Sequence, residues 1–202
     1  MAEGEQRVVE AGLIRRVLAD LLHTQDAPSA IEVRATDSTA TEVAVLLEGT
    51  AAGVEHRAGR VAALIGGAPA VAPAWTAGYP WAVGESTGLK ITCQLSAVPQ
   101  VLSVATAAGW DIQGSAGAGV VYATPKQPES GTASSADGVA DVATRLRAAA
   151  LGGSVIVLDA PRGLRTEIDI WGPIPALAVM RRVKEQFDPD HRLAPGRFVG
   201  GI

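Results

Sequence analysis

Cysteine is nearly missing from this sequence. Cys93 stands alone among 202 residues, which leaves no partner for an internal disulfide and excludes four-cysteine zinc sites and cysteine-ligated iron–sulfur clusters within the chain. Aromatic residues are scarce, 4% against 48% hydrophobic in total, so the expected core is aliphatic and the chain is not a disordered one. Basic charge is short as well: 17 Lys and Arg face 21 Asp and Glu, a net charge of −4. With no basic stripe to neutralise phosphates or anionic head groups, nucleic acid and membrane surfaces are excluded as partners. No apolar run reaches the roughly 20 residues of a bilayer span, and Glu10, Arg15, Arg16 and Asp20 break up the first twenty positions, so no signal-peptide core is expected. These absences predict a soluble, unexported protein in the reducing cytoplasm. Composite catalytic motifs are lacking too: there is no Walker loop and no H-E-x-x-H. His23, His56 and His191 stand far apart, as solvated surface residues do rather than metal ligands.

What remains is enough apolar material for one or at most two domains. Val9, Leu13, Val17 and Leu21 share a helical face and predict a helix over about 6–22. Ile31 and Val33, then Val43, Val45 and Leu47, alternate with charged residues across Thr36-Asp37-Ser38 and predict a hairpin. A helix from Val54 to Ile65 stops at Gly66-Gly67, and the proline-bearing stretch 68–80 makes a poor strand. Leu89, Ile91, Cys93 and Leu95 alternate with Lys90, Thr92 and Gln94 in a strand, with Ser96 placed to cap the helix carrying Val98, Val101, Leu102 and Ala105. Two short strands come next, about Ile112 and over 119–124, joined through Gly114 to Gly117. A loop over 124–137, a helix from Val139 to Ala149 and a buried strand over 155–158 complete the set. The fold class expected is α+β, a largely antiparallel sheet with helices on one face, holding a ferredoxin-like split βαβ half at 88–158. Arg60 to Gly67 echoes Arg145 to Gly153; this would mean a duplicated half, although alanine-rich composition can produce the same echo by chance. A last helix spans 174–187, and the tail from His191 has no period.

Two glycine patterns are set aside. Gly84-Glu-Ser-Thr-Gly88 has the spacing of a nucleophile elbow but is followed by a strand where an elbow needs a helix. Gly114-Ser-Ala-Gly-Ala-Gly119 reads as a strand connection, having no helix after it to bind phosphate. The more informative surface is the sheet face away from the helices, which would present Glu32, Arg34, Lys90, Thr92, Gln94 and Tyr122. It is either a half-solvated sheet surface or a wall on which Lys90 or Arg34 holds an anion.

The C-terminal stretch from Met180 to Ile202 has a helix end, Asp188-Pro189, a short gap and Ala194-Pro195-Gly196-Arg197. It resembles the terminus of FAD-linked oxidases of the vanillyl-alcohol-oxidase type, and most of all the FAD-binding subunit of bacterial glycolate oxidase. Leu46 to Thr50, Gly152 to Pro161 and Trp171-Gly172-Pro173 resemble segments of the same subunit. Ala194 departs from the asparagine usual there, and Ser115 and Ala118 replace a histidine and an aspartate of larger relatives. The resemblance implies that 28–202 is a cap, or substrate, domain after an N-terminal helix and linker at 1–27, the FAD-binding domain lying outside this chain. It implies oxidation of a 2-hydroxy acid by hydride transfer to FAD once the two are joined, with this chain alone colourless and inactive. Lys90, Arg34 and Tyr122 would line the cavity, and Arg162 and Arg165 would meet the substrate carboxylate or the flavin domain. Arg197 and Phe198 would contact the flavin domain; no catalytic or metal-binding residue is expected. The implied partners are the FAD-binding domain or subunit and further glycolate oxidase subunits, including an iron–sulfur subunit. The apolar tail predicts a partly buried Phe198, folded onto the helix or in a homodimer. The alternatives are a stand-alone binding or interaction module, and a subunit completed by a separate flavin-binding chain.

Overall fold

Every second residue of Ala30–Ala35 is buried, and the same period runs along the other central strands, so each strand has one face for a core and one turned from it. The computed structural model describes residues 2–10, 13–126 and 135–202. They fall into two compact units, one ending at Ile168 and one spanning Asp169–Ile202.

In chain order the first unit contains β1 (Ala2–Glu10), α1 (Ile14–His23), β2 (Ala30–Ala35), β3 (Ala40–Glu48), α2 (Ala51–Ile65), β4 (Ala68–Ala70), β5 (Gly88–Thr92) and α3 (Val98–Ala107). It continues with β6 (Trp110–Ser115), β7 (Val120–Pro125), α4 (Ala136–Ala149), β8 (Ser154–Asp159) and the one-turn α5 (Arg162–Arg165). The eight strands form one sheet in the order β4-β1-β3-β2-β6-β7-β5-β8, and all seven neighbouring pairs are antiparallel. Each half is a β-α-β-β-α-β unit with the same internal strand order, so the expected ferredoxin-like half is present and duplicated. The echoing segments fall at the ends of α2 and α4, the same element of the two halves. The halves join edge to edge, β2 against β6, with Val33 opposite Gly114 and Arg34 opposite Gln113.

The helices bury the apolar sets that their spacing marks: Val54, Ala58, Val61 and Ile65 from α2, Val98, Val101, Leu102 and Ala105 from α3, Val139, Val142 and Leu146 from α4. Against them lie Val33, Val43, Leu47, Leu89, Ile91, Ile112, Val121 and Val155, all at most 1% exposed. The core is aliphatic as expected, and Trp110 is fully buried in it.

Several boundaries differ from expectation. The helix predicted over 6–22 starts only at Ile14, and residues 2–10 form a strand along the whole of β3. The four-residue spacing of Val9 and Leu13 fits a helix, but without β1 the hydrogen-bonding edge of β3 would lie bare, and tertiary pairing outweighs a local period. The first described residues, 2–10, are therefore not part of an N-terminal helix and linker outside the domain; β1 is part of its sheet. The strand predicted to 95 stops at Thr92, because the Cys93 N–H turns to the Gly119 carbonyl and a 3-10 turn begins at Leu95. Ser96 caps nothing: α3 has Ala97 at its start, without a side-chain cap. The stretch 68–80 does contribute a strand, of three residues on the far edge. Most of the predicted 124–137 loop, residues 127–134, lies outside the described residues.

The second unit is built on α6 (Leu177–Phe187), shorter at its start than the predicted 174–187. Asp188 organises the turn after this helix: its carboxylate takes the Lys184 ammonium at 2.5 Å and the N–H groups of Arg192 and Leu193 at 2.9 and 3.0 Å. Ala194 sits at φ +47°, a left-handed conformation that asparagine tolerates better than alanine, and Gly196 at φ +73° supplies the expected turn. The lysine and the two amides hold the Asp188 carboxyl down to about 2 from an ordinary 3.8. Because the folded value is depressed, its stabilisation is complete above the unfolded value near 3.8 and is lost as pH falls toward 2. The amide resonances of Arg192 and Leu193 should therefore titrate with a midpoint near 2 and stop doing so in Asp188→Asn; a midpoint near 3.8 would contradict the arrangement.

Candidate functional site

On the sheet face away from the buried helices, the strand registers place six side chains in one row: Glu42, Arg34, Gln113, Tyr122, Lys90 and Ile156. The row crosses the join between the halves, drawing Glu42 and Arg34 from the first and the rest from the second. Directly opposed residues have Cβ atoms about 4.5–5.5 Å apart, so three of the expected wall residues, Arg34, Tyr122 and Lys90, belong to one continuous surface. Lys90 points away from the core, as its alternation predicts, while Leu89 and Ile91 are fully buried. The next row is Ala44, Glu32, Ser115, Val120, Thr92 and Ser154. Thr92 and Ser154 share a hydrogen bond at 2.8 Å. Gln94 lies past the end of the strand, just before the 3-10 turn at Leu95–Ala97, and so is not part of this sheet face.

The middle of this face is covered. The segment joining β4 to β5 lies over it, held by two ties. The Gln113 amide donates to the Trp75 and Gly78 carbonyls at 2.8 and 3.4 Å, and the Gly84 N–H donates to the Asp159 carboxylate at 2.6 Å. Between the ties Tyr79 stacks on Trp81 with ring centroids 4.7 Å apart and planes 11° from parallel. Tyr79 also meets Tyr122 edge-on at 5.0 Å. Trp81 itself lies against Gly88: a methyl group on that Cα would sit 2.2 Å from the indole. Trp81 is 9% exposed and Tyr79 50%, so the stack has a buried floor and an open upper face.

Charge on this face is unevenly matched. Arg34 approaches Glu42 at 3.8 Å, whereas Lys90 has no ion pair among the described residues. Burial raises the Glu32 carboxyl, a hydrogen bond from Ser115 opposing it. Burial also raises Asp111, the nearby cations Lys126 and Arg34 pulling it back. Tyr122 is pushed above its ordinary value of 10 by burial first, then by Tyr79 and Glu32, which leaves it a phenol that donates at neutral pH. Of five buried side-chain polar atoms without partners among the described residues, four belong to this side, the indole N–H groups of Trp75 and Trp81, one Asp111 carboxylate oxygen and the Thr124 hydroxyl; the fifth, the Trp110 indole N–H, is in the core.

The other candidates stand elsewhere. Arg162 and Arg165 are exposed on α5, outside the row. In the second unit Arg197 and Phe198 line an apolar groove of about 560 Å³ with Val179, Met180, Val183 and Leu193. Phe198 meets Trp171 at 6.1 Å yet stays 58% exposed, less sheltered than its sequence setting suggests. Gly84 to Thr87 is a turn leading into β5, as its spacing and the strand after it imply. The 116–119 turn joins β6 to β7, with the Gly117 N–H on the Ile31 carbonyl and the Gly119 N–H on the Ala116 carbonyl. No group of three potential metal ligands occurs among the described residues, nor any helix long and apolar enough to cross a membrane.

Sequence reasoning passed over Gln113, Tyr79 and Trp81. A signal was present: two of the four tryptophans and one of the two tyrosines fall between positions 75 and 81, in a chain otherwise poor in aromatics.

No known family profile and no curated protein matches this chain. Solved structures do. The VAO-type flavoprotein MtVAO615 from Myceliophthora thermophila C1 superposes with a TM-score of 0.50 at 14% identity, over 94% of this chain and 45% of that one. The xylooligosaccharide oxidase of the same organism, solved with xylobiose, gives 0.49 at 15% identity over 94% and 53%. The fold is shared with part of a VAO-type flavoprotein. This chain spans about half the length of either structure.

Gly88 offers a direct check on the aromatic cover. Gly88→Ala should expel Trp81, costing about 1–3 kcal/mol as overpacking does and shifting tryptophan fluorescence to the red; unchanged emission and stability would mean that the indole is not seated there.

Proposed function

We propose that this chain is the cap domain of an FAD-linked oxidoreductase, its helix-free sheet face walling the substrate cavity. The observation that carries the reading is the row from Arg34 to Lys90, polar and cationic, on a fold shared with part of a VAO-type flavoprotein. The substrate class proposed is a 2-hydroxy acid, as in glycolate-oxidase-like enzymes. Lys90 takes the carboxylate by a charge-assisted hydrogen bond, and the Tyr122 phenol donates a second.

The chain's residues do not fit FAD itself. A pyrophosphate cradle needs free backbone N–H groups, at a helix start or in a glycine-rich nest. In the one glycine-rich stretch with that composition, the Gly117 and Gly119 N–H groups are already spent on carbonyls. The cofactor and its redox step therefore belong to a separate flavin-binding domain or subunit. What this chain supplies is orientation of the acid and exclusion of water. Arg197, Phe198 and the exposed apolar side chains Val179, Val183 and Phe187 are proposed as contacts for that domain, with Arg162 and Arg165 as secondary ones. An iron–sulfur subunit and a cytoplasmic setting belong to the same reading.

The test is to produce the chain joined to, or alongside, an FAD-binding domain and to follow bleaching of the flavin by 2-hydroxy acids. The chain alone should retain no flavin through gel filtration. In the assembled protein Lys90→Met should raise KM about 10- to 100-fold, the scale for losing a hydrogen bond to a charged group, with flavin content unchanged. Equal kinetics for Lys90→Met and the parent would overturn the assignment.

A further inference from the structure

Two features of the segment covering the row are not explained by holding a bare acid. The first is the Tyr79 ring, which rests on Trp81, which rests in turn on Gly88, a stack two aromatic rings deep whose outer side is open. The second is rigidity: the backbone bearing the stack is tied to Gln113 on one side and to Asp159 on the other, and Pro80 limits the chain between the two rings. A half-exposed ring already stacked on a buried one, on a tied backbone, binds another flat apolar surface at a reduced ordering cost. Next to it, across Tyr122, stands the cation of the row that has no ion pair among the described residues, Lys90.

Resting on the cap reading above, we propose that the acid bound here carries a flat apolar group, an aromatic ring or its like, laid on Tyr79 while Lys90 holds the carboxylate. The selectivity is then for ring-bearing over small aliphatic 2-hydroxy acids. It comes from the segment joining β4 to β5, so the specificity element sits on the connection between the two halves while the charge sits on the sheet.

The experiment uses the 202-residue chain and two probes, mandelate and glycolate, titrated while the resonances of Tyr79, Trp81, Tyr122 and Lys90 are followed by NMR. Mandelate should bind at least about tenfold more tightly, since stacking adds to ring burial. Tyr79→Ala should abolish that preference and Tyr79→Phe keep it, which separates loss of the ring from loss of the fold. Lys90→Met should weaken both acids. Glycolate binding as tightly as mandelate, still sensitive to Lys90, would overturn the ring selectivity and leave the cap reading standing. If neither acid perturbs these residues, the wall reading falls and this inference with it. If benzyl alcohol binds as well as mandelate and Lys90→Met changes nothing, the stack is an apolar contact for another protein surface and the proposal is overturned.

Discussion

The hydrogen bonds between β2 and β6 are the constraint on which the rest of the first unit depends. Each half has β2 or β6 at one edge of its four strands, and a ferredoxin-like half alone would leave that edge bare to any other strand. Joining the two edges removes both liabilities and fixes the register Arg34 to Gln113. The register in turn decides that Arg34 and Glu42 from one half share a row with Gln113, Tyr122 and Lys90 from the other. A slip by one residue would turn one half's polar set into the core. Gly114, opposite Val33 at the join, is constrained from its other side: at φ +145°, a side chain there would meet the Val120 carbonyl of β7 at 2.7 Å.

A sheet with helices on one face has a second face to dispose of. The chain covers part of it with its own connection, Gln113 donating to two carbonyls of that segment. The cover is incomplete in a specific way. It leaves unpartnered buried polar atoms on Trp75, Trp81, Asp111 and Thr124, each costly unless something else supplies a partner. It also leaves Lys90 without a counter-ion among the described residues.

The fold was legible where side-chain period and buried face coincide. Leu89, Ile91 and Val155 marked their strands, and Val98, Val101 and Leu102 their helix, because the core reads those positions directly. The strand β1 was not legible, since Val9, Leu13, Val17 and Leu21 satisfy a helical period and only pairing with β3 and β4, remote in sequence, selects the strand. Of the candidate site, Arg34, Lys90 and Tyr122 were reachable from alternation alone. Gln113 was not, because its role is to hold a loop that no local pattern places over the sheet, and Tyr79 and Trp81 lie in that loop. The tail motif pointed to a turn at Gly196, correctly, but the shelter of Phe198 depends on contacts its sequence does not specify.

Native-state hydrogen exchange of the amides in β2 and β6 tests most directly whether one sheet, continuous across both halves, presents the row. If the join holds, amides of both strands that face the partner strand should exchange as slowly as those within β5 and β7, protected by opening of the whole unit. Exchange of the β2 and β6 amides at the rate of exposed edge strands, with each half protected separately, would mean that the halves do not share a sheet and that the row does not exist as described.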